Sequence, residues 1–328
     1  MIINEKKTKF MVINGQACDK IPFHLTRLTP EVTLKWTAHY VYLGSVFTSD
    51  GSLPSSLKLH AKDKIQHVNK LVTFMTINKD MPFVAKRKVL EAAFSSAILY
   101  SCENWLGCSL SPIEVLYNTA VKVTLGVRPS TPNAIALAEM GIESLEQVVN
   151  KRQAKFFEKL ITEREGLLDD PFWHVFTLIG DNSMKRHILH IARGHRIVNV
   201  DADPKNKIAS AEGTKFTTYK LINPGITPHR IYKSNTHKVP EYLRISFTRM
   251  RTSSHRLRVE TGRWARIHHD RRLCECNLDV QDEEHVLSNC PLVANIRQQF
   301  NLKCFPQCLQ EPDLRDFHAI HAIVDYFT

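Results

Sequence analysis

Cys274, Cys276, His285 and Cys290 are the densest concentration of chemically capable side chains in the sequence. One residue separates the first two cysteines, eight lie between Cys276 and His285, and four lie between His285 and Cys290. Three thiolates and an imidazole are the ligand set of a closed, four-coordinate structural zinc site, which leaves no open position for a substrate. The single-residue spacing of Cys274 and Cys276 demands a tight backbone, so His268, His269, Cys304 and Cys308 stand as alternatives for one of the four places. The competing reading is a set of buried free cysteines beside a surface histidine. Five of the eight cysteines fall within the 35 residues Cys274–Cys308, an odd number interleaved with histidine, which favours metal over disulfides.

Directly upstream, Arg256, Arg258, Arg263, Arg266, Arg271 and Arg272 would stand beside a metal-ordered loop and offer forked donors to phosphate oxygens. Trp264 is set among them and could stack on a base or pack into the local core. The chain carries 44 Lys and Arg against 33 Asp and Glu, a net +11, yet Met184–Arg272 alone holds 20 basic and 6 acidic residues. The whole excess therefore belongs to one stretch, which also holds 8 of the 16 histidines. A local surplus of that density points to a polyanion, nucleic acid before anionic membrane, with a solvated basic face as the plain alternative. Lys7 and Lys9 at the other end either approach a nucleic-acid backbone or protect a strand edge from aggregation.

No enzyme site emerges: there is no glycine-rich phosphate loop, no His-Glu-X-X-His and no nucleophile elbow. Asp169 and Asp170 are followed by Pro171 and lack the strand–turn–strand surroundings that two-metal chemistry needs.

The elements that must position these residues are mainly helical. With 328 residues, 43% apolar and 23% charged, the chain is long enough for one large domain or two ordinary ones. Strands are expected at Thr8–Ile13 and Tyr40–Phe47, the second ending at the turn Asp50-Gly51. Leu57, Ala61, Ile65, Val68, Val72 and Met75 form one helical stripe, and Leu90, Phe94, Ala97, Ile98 and Trp105 continue at helical spacing after Pro82. Ser111-Pro112 and Gly126 bracket a helix over Pro112–Leu125, and Ser144 caps another over Leu145–Arg164. Phe172–Arg193 suggests one or two helices, with loops at Asp201–Gly213 and Asn223–Pro228. Tyr242–Arg272 reads as one helix, followed by the cysteine segment and a short helix over Pro291–Phe300. No secretory signal or membrane span is evident, so an intracellular, nuclear or cytoplasmic protein is expected.

With these pieces in order, the chain resembles the C-terminal part of a non-LTR (LINE-type) retrotransposon reverse transcriptase. Asn4 to Val12, with Lys6, Lys7 and Lys9, looks like the lysine-rich strand after that family's catalytic aspartates. Tyr42-Leu43-Gly44 followed by Phe47-Thr48-Ser49-Asp50-Gly51 looks like its primer-grip hairpin. Glu103-Asn104-Trp105, Asn118, Lys122, Leu125-Gly126 and Thr131-Pro132 recur in its thumb region. Arg272-Leu273-Cys274-Glu275-Cys276, Asp282 to Leu287 and Cys290-Pro291 look like its terminal zinc-knuckle-like motif.

The resemblance implies a palm remnant over 1–52, a thumb-like helical bundle over 53–165, a linker over 166–240, and an Arg-rich helix with a small zinc-knuckle-like module over 241–328. It also implies RNA or DNA as partner, other retroelement-derived chains as further partners, and nucleic-acid contacts at Lys7, Lys9, Tyr42, Leu43, Gly44, Arg256, Arg258, Arg263, Trp264, Arg266, Arg271 and Arg272. The family's catalytic aspartates would precede Met1, so no polymerase activity is expected of this chain alone. Magnesium would matter only if a longer product supplied the palm. The rival expectations are a zinc-stabilised protein-interaction scaffold and a non-functional retroelement fossil.

Overall fold

The structure, a computed structural model, describes residues 4, 8–25, 32–164, 202–233 and 239–328. It is mainly helical with few strands, and the chain divides into two compact units drawn from interleaved segments. The first takes Met1–His67, Ser96–Leu116 and Val148–Ile197; the second takes Val68–Ser95, Tyr117–Gln147 and Val198–Thr328. Asp169, Asp170 and the helices expected over Phe172–Arg193 lie outside the described residues. No helix among the described residues is long and apolar enough to cross a membrane.

In the first unit, β1 (Lys9–Phe10) pairs in parallel with β3 (Val32–Trp36), and β2 (Phe23–Leu25) pairs antiparallel on its other side. Only two residues of the expected Thr8–Ile13 strand are in the ladder, Lys9 opposite Lys35 and Phe10 opposite Trp36. The expected strand Tyr40–Phe47 is instead a hairpin of β4 (His39–Tyr42) and β5 (Ser45–Thr48). The chain reverses at Leu43 (φ 48°) and Gly44 (φ 84°), a pair of left-handed residues whose twist suits a two-residue hairpin. Their apolar neighbours concealed the turn.

Helix α1 (Leu53–Ile77) buries Leu57, Ala61, Val68 and Met75 as the stripe requires, but Ile65 and Val72 are exposed while His60 and Leu71 are buried instead. Helix α2 (Phe83–Val89) runs into a π-helical stretch at Leu90–Ser95 and a last turn at Ser96–Ile98. The helix does not continue to Trp105: Ser101 turns left-handed (φ 62°) and a short 3₁₀ turn, Cys102–Asn104, intervenes. Helix α3 (Ser111–Leu125) ends where expected. Gly126 at φ 80° lets the Val127 amide reach the Lys122 carbonyl and the Gly126 amide reach that of Val123, closing the last turn. After α4 (Asn133–Met140), α5 (Leu145–Arg164) opens with a reciprocal cap: Ser144 Oγ accepts from the Gln147 amide, and Gln147 Oε1 from the Ser144 amide.

In the second unit, part of the expected loop Asp201–Gly213 is a helix, α6 (Pro204–Ser210). Asp203 caps it by accepting from the Lys205 amide, and Pro204 occupies a first-turn position where a missing N–H costs nothing. Its Ile208 packs with Ala134, Ile135 and Ala138 of α4 and Tyr219 of α7 (Thr214–Ile222). The long helix expected over Tyr242–Arg272 is two helices, α8 (Glu241–Arg251) and α9 (Arg258–Trp264). Between them the run Thr252–His255 is buried although polar, and Ser253 is left-handed (φ 47°). The break is stabilised by tertiary bonds that no local spacing encodes. Beyond the cysteine segment come α10 (Ala294–Phe300), α11 (Gln307–Gln310) and α12 (Leu314–Tyr326), where Phe317 meets Phe247 of α8 edge to face at 4.7 Å.

A buried charged network runs through this unit. Glu139 of α4 is fully buried and accepts from Arg251 (2.5 and 3.1 Å), Tyr219 (2.8 Å) and Tyr232 (3.0 Å). Glu241 receives Lys86 at 2.9 Å and both Nε and Nη2 of Arg244, while Arg244 Nη1 also caps the Leu125 carbonyl at 3.0 Å. Each buried carboxylate thus has a cation and several donors, the condition under which ionised groups tolerate burial.

Candidate metal centre and its basic flank

The thiol–imidazole cluster is assembled by two local devices. Leu273 and Val280 form an isolated antiparallel bridge, closed by the Cys274 amide donating to Asp279 O (2.8 Å). Inside it the Asn277 amide returns to Cys274 O (2.9 Å), and Asn277 itself is left-handed (φ 58°). Asparagine tolerates that region better than most residues. This turn is the tight backbone that a Cys-X-Cys pair needs.

The second device is a π-helical turn over His285–Asn289, started by the His285 amide donating to Asp282 Oδ1 at 2.9 Å. Its bond from the Cys290 amide to His285 O (2.7 Å) sets these residues one turn apart. In an α-helix five residues would overshoot a turn by more than a third. Pro291 then ends the turn and opens a 3₁₀ helix.

The result is convergence. One ligand atom from each of Cys274, Cys276, His285 and Cys290 lies within 4.8 Å of all the others, with Cys274 Sγ to Cys290 Sγ at 3.6 Å and Cys276 Sγ to His285 Nε2 at 3.2 Å. For Zn–S bonds of about 2.3 Å and Zn–N bonds of about 2.0 Å, the edges of a tetrahedron are roughly 3.5–3.8 Å. These two separations lie within about 0.3 Å of that edge. None of the cysteines is in a disulfide. Cys274, Cys290 and His285 are buried, and Nδ1 of His285 has no hydrogen-bond partner among the described residues. A buried imidazole whose other nitrogen faces only thiols is poorly satisfied without a cation, so this donor set fits a metal ion.

Burial pushes the Cys290 thiol up to about 12, its thiol neighbours adding to the effect. At Cys276 burial also opposes ionisation, but the backbone at Leu278 and the Cys274 and Cys290 thiols outweigh it and hold the group below its ordinary value. Among the described residues no other group of histidines, cysteines and carboxylates converges in this way. The four alternatives to these ligands stand apart: His268 and His269 face Asp270, Cys304 is exposed, and Cys308 is buried.

No family model, curated protein or solved structure matches this chain.

The basic residues divide by use. Arg258 spans to the metal loop, donating to Leu273 O (2.9 Å) with Glu275 at 3.5 Å. Arg272 folds over Gly262 and donates to Val259 O and Ile267 O; a Cβ at Gly262 would stand 2.7 Å from its Cγ. Arg263 donates to Thr214 Oγ1 (2.6 Å) beside Glu260. These three brace the module. Arg256, Arg266 and Arg271 are exposed, and their guanidiniums donate to no group among the described residues. Trp264 is 48% exposed, with Arg128 Cζ 4.3 Å from its ring centroid.

In the first unit Lys9 is exposed on β1, while Tyr42 and Leu43 are exposed at the hairpin tip. A Cβ at Gly44 would stand 2.7 Å from the Tyr100 ring. Lys7 lies outside the described residues. Sequence reasoning missed Arg128 and Arg249, which come to the same surface as Arg256 from far upstream or from the opposite end of the break. It also missed Asn277, whose place after Cys-X-Cys is a readable left-handed-turn signal.

Proposed function

We propose that this chain binds nucleic acid through a basic C-terminal module held together by one structural zinc ion on Cys274, Cys276, His285 and Cys290. The observation that carries this reading is the coupling of the arginine-bearing helix to the cysteine loop. The Val259 amide donates to Gln281 O (3.1 Å), the Arg258 amide to Gln281 Oε1 (2.8 Å) and Arg258 Nη1 to Leu273 O (2.9 Å). A metal that orders the loop therefore orders α9 and the exposed Arg256, Arg266 and Arg271 on either side of it. Zinc when bound would supply a fixed tetrahedral crosslink and no open position for chemistry. The resemblance to the tail of LINE-type reverse transcriptases, and the basic surplus before Arg272, point to the same partner class.

The test is salt-titrated binding of the zinc-loaded chain to RNA and DNA, with an acidic peptide polymer as competitor. Binding to nucleic acid should weaken with salt by roughly 0.7–0.9 in log affinity per log salt for each phosphate engaged. Equal affinity for the peptide polymer would favour the scaffold reading, and indifference to all three in dilute buffer would end both.

A further inference from the structure

Arg128, from far upstream in the chain, lies over Trp264 and within electrostatic reach of Arg249 and Arg256. Helix α3 ends at Gly126, whose left-handed turn leaves its carbonyl to accept from Arg249 Nε of α8 at 2.9 Å. Two residues on, the Arg128 amide donates to Ser254 Oγ (2.7 Å), and its Nη1 donates to His255 O (3.2 Å), immediately before Arg256. The Arg128 guanidinium lies over the Trp264 ring at 4.3 Å. Such a stack orients a cation and keeps it on the surface.

Among the described residues none of the three arginines forms an ion pair with a carboxylate. The carboxylate that Arg128 feels is Glu260, which is 2% exposed and bound to Lys215 at 2.6 Å and Arg263 at 3.4 Å. Burial lowers the Arg128 pKa and the charge of Arg256 lowers it further; Arg249 is lowered by burial and then by Arg128 and Arg256. Mutual repulsion is built into the surface, and an anion placed among the three would relieve it. Beside them nearly half of an indole is open to solvent. A phosphodiester next to an unpaired base is the ligand with both features, since every base has a face to stack and a duplex hides it.

We propose that Arg128, Arg249, Arg256 and Trp264 form a one-nucleotide site for single-stranded nucleic acid, the guanidiniums gripping its phosphate and the indole stacking its base. This site rests on the nucleic-acid reading above but is separable from it.

The experiment measures fluorescence anisotropy of a labelled 12-mer oligouridylate, and separately of the matching oligothymidylate, with the zinc-loaded full chain over a range of salt. Arg256 donates to nothing among the described residues, so Arg256→Ala leaves the fold intact, with zinc stoichiometry as the check. It should reduce the salt slope by about 0.7, the share of one phosphate on a single strand. Trp264→Ala should weaken binding roughly 5- to 150-fold, and Trp264→Phe should restore most of the loss. Inorganic polyphosphate, which has no base, should bind Trp264→Ala as well as it binds wild type. Arg315→Ala is the control, an exposed arginine paired with Asp313 at 3.2 Å. If wild type binds the oligonucleotides and Arg256→Ala and Trp264→Ala behave like Arg315→Ala, the site is refuted while nucleic-acid binding stands. Equal losses for polyphosphate and oligonucleotide in Trp264→Ala would refute the stack. No oligonucleotide binding at all would overturn both proposals.

Discussion

The Arg251 guanidinium spans both oxygens of the Glu139 carboxylate, at 2.5 and 3.1 Å, with both side chains almost wholly removed from solvent. Arg251 also donates to Leu309 O, so one side chain ties α4 and α8 to α11. Removing one member of such a pair leaves the other buried and unpaired, at about 3–5 kcal/mol. Glu139→Gln should therefore destabilise the chain by that amount, read from urea unfolding as a lower midpoint. An apolar replacement of both partners, Glu139→Leu with Arg251→Met, should recover part of the loss. A Glu139→Gln variant as stable as wild type would show that the pair contributes nothing.

The same region makes the fold acid-sensitive, with two contributions of the same sign. Burial alone would raise the Glu139 pKa, but Arg251 outweighs it and holds the group below 4.5. Its stabilisation is complete above the unfolded value and disappears as pH falls through the folded one. His229 is held near 4 rather than 6.5 by burial and then by Arg251, with Arg230 adding and Glu139 opposing. Between pH 6.5 and 4 the unfolded chain takes up a proton that folded His229 refuses, so stability falls with pH across that window, by up to about 3 kcal/mol. Urea midpoints at pH 7 and pH 5 should show the decline, and His229→Asn should flatten it.

Local periodicity carries much of this fold and long-range pairing carries the rest. The caps at Ser144 and Gly126 act on their own turns, and both helix ends are readable from residue type. The metal cluster is readable for a related reason: both of its devices, the Asn277 turn and the π-helical turn after Asp282, span fewer than ten residues. The division of Tyr242–Arg272 is not readable, because Ser254 is held by Arg128 and Ser253 by Glu283, at 2.7 and 2.6 Å. The hairpin at Leu43-Gly44 sits between, since glycine signals a turn but the exposed Tyr40, Val41 and Tyr42 imitate a continuous strand.

Gly44 gives that hairpin a specific test. At φ 84° it lies where a Cβ is disfavoured by roughly 1–2 kcal/mol, and a Cβ there would also stand 2.7 Å from Tyr100 Cε1. Gly44→Ala should destabilise the chain by more than the backbone term alone. Adding Tyr100→Ala should remove the steric part and leave the conformational part, a non-additivity readable in a double-mutant cycle of urea midpoints. Strict additivity would mean that the ring yields freely.

Metal removal should act well beyond the four ligands. Structural zinc sites contribute an apparent ~10–16 kcal/mol near neutral pH, as much as an ordinary domain's whole stability, so the stripped module should not hold its fold. Loss should not stop at Pro240. Glu283, two residues from His285, accepts from Ser253 Oγ at 2.6 Å, and the next residue, Ser254, holds the Arg128 amide at 2.7 Å. Chelation should therefore deprotect amides of α9 and the Thr252–Leu257 break first and the Gly126–Arg128 turn with them, measured by hydrogen exchange. Elemental analysis should return one zinc per chain for wild type and for Cys304→Ser, and none for Cys290→Ser or His285→Ala. Cys308 lies outside the cluster with its thiol pushed up to about 12 by burial, so Cys308→Ala should cost stability and keep the metal. Zinc retained in Cys290→Ser, or lost in Cys304→Ser, would reassign the ligand set.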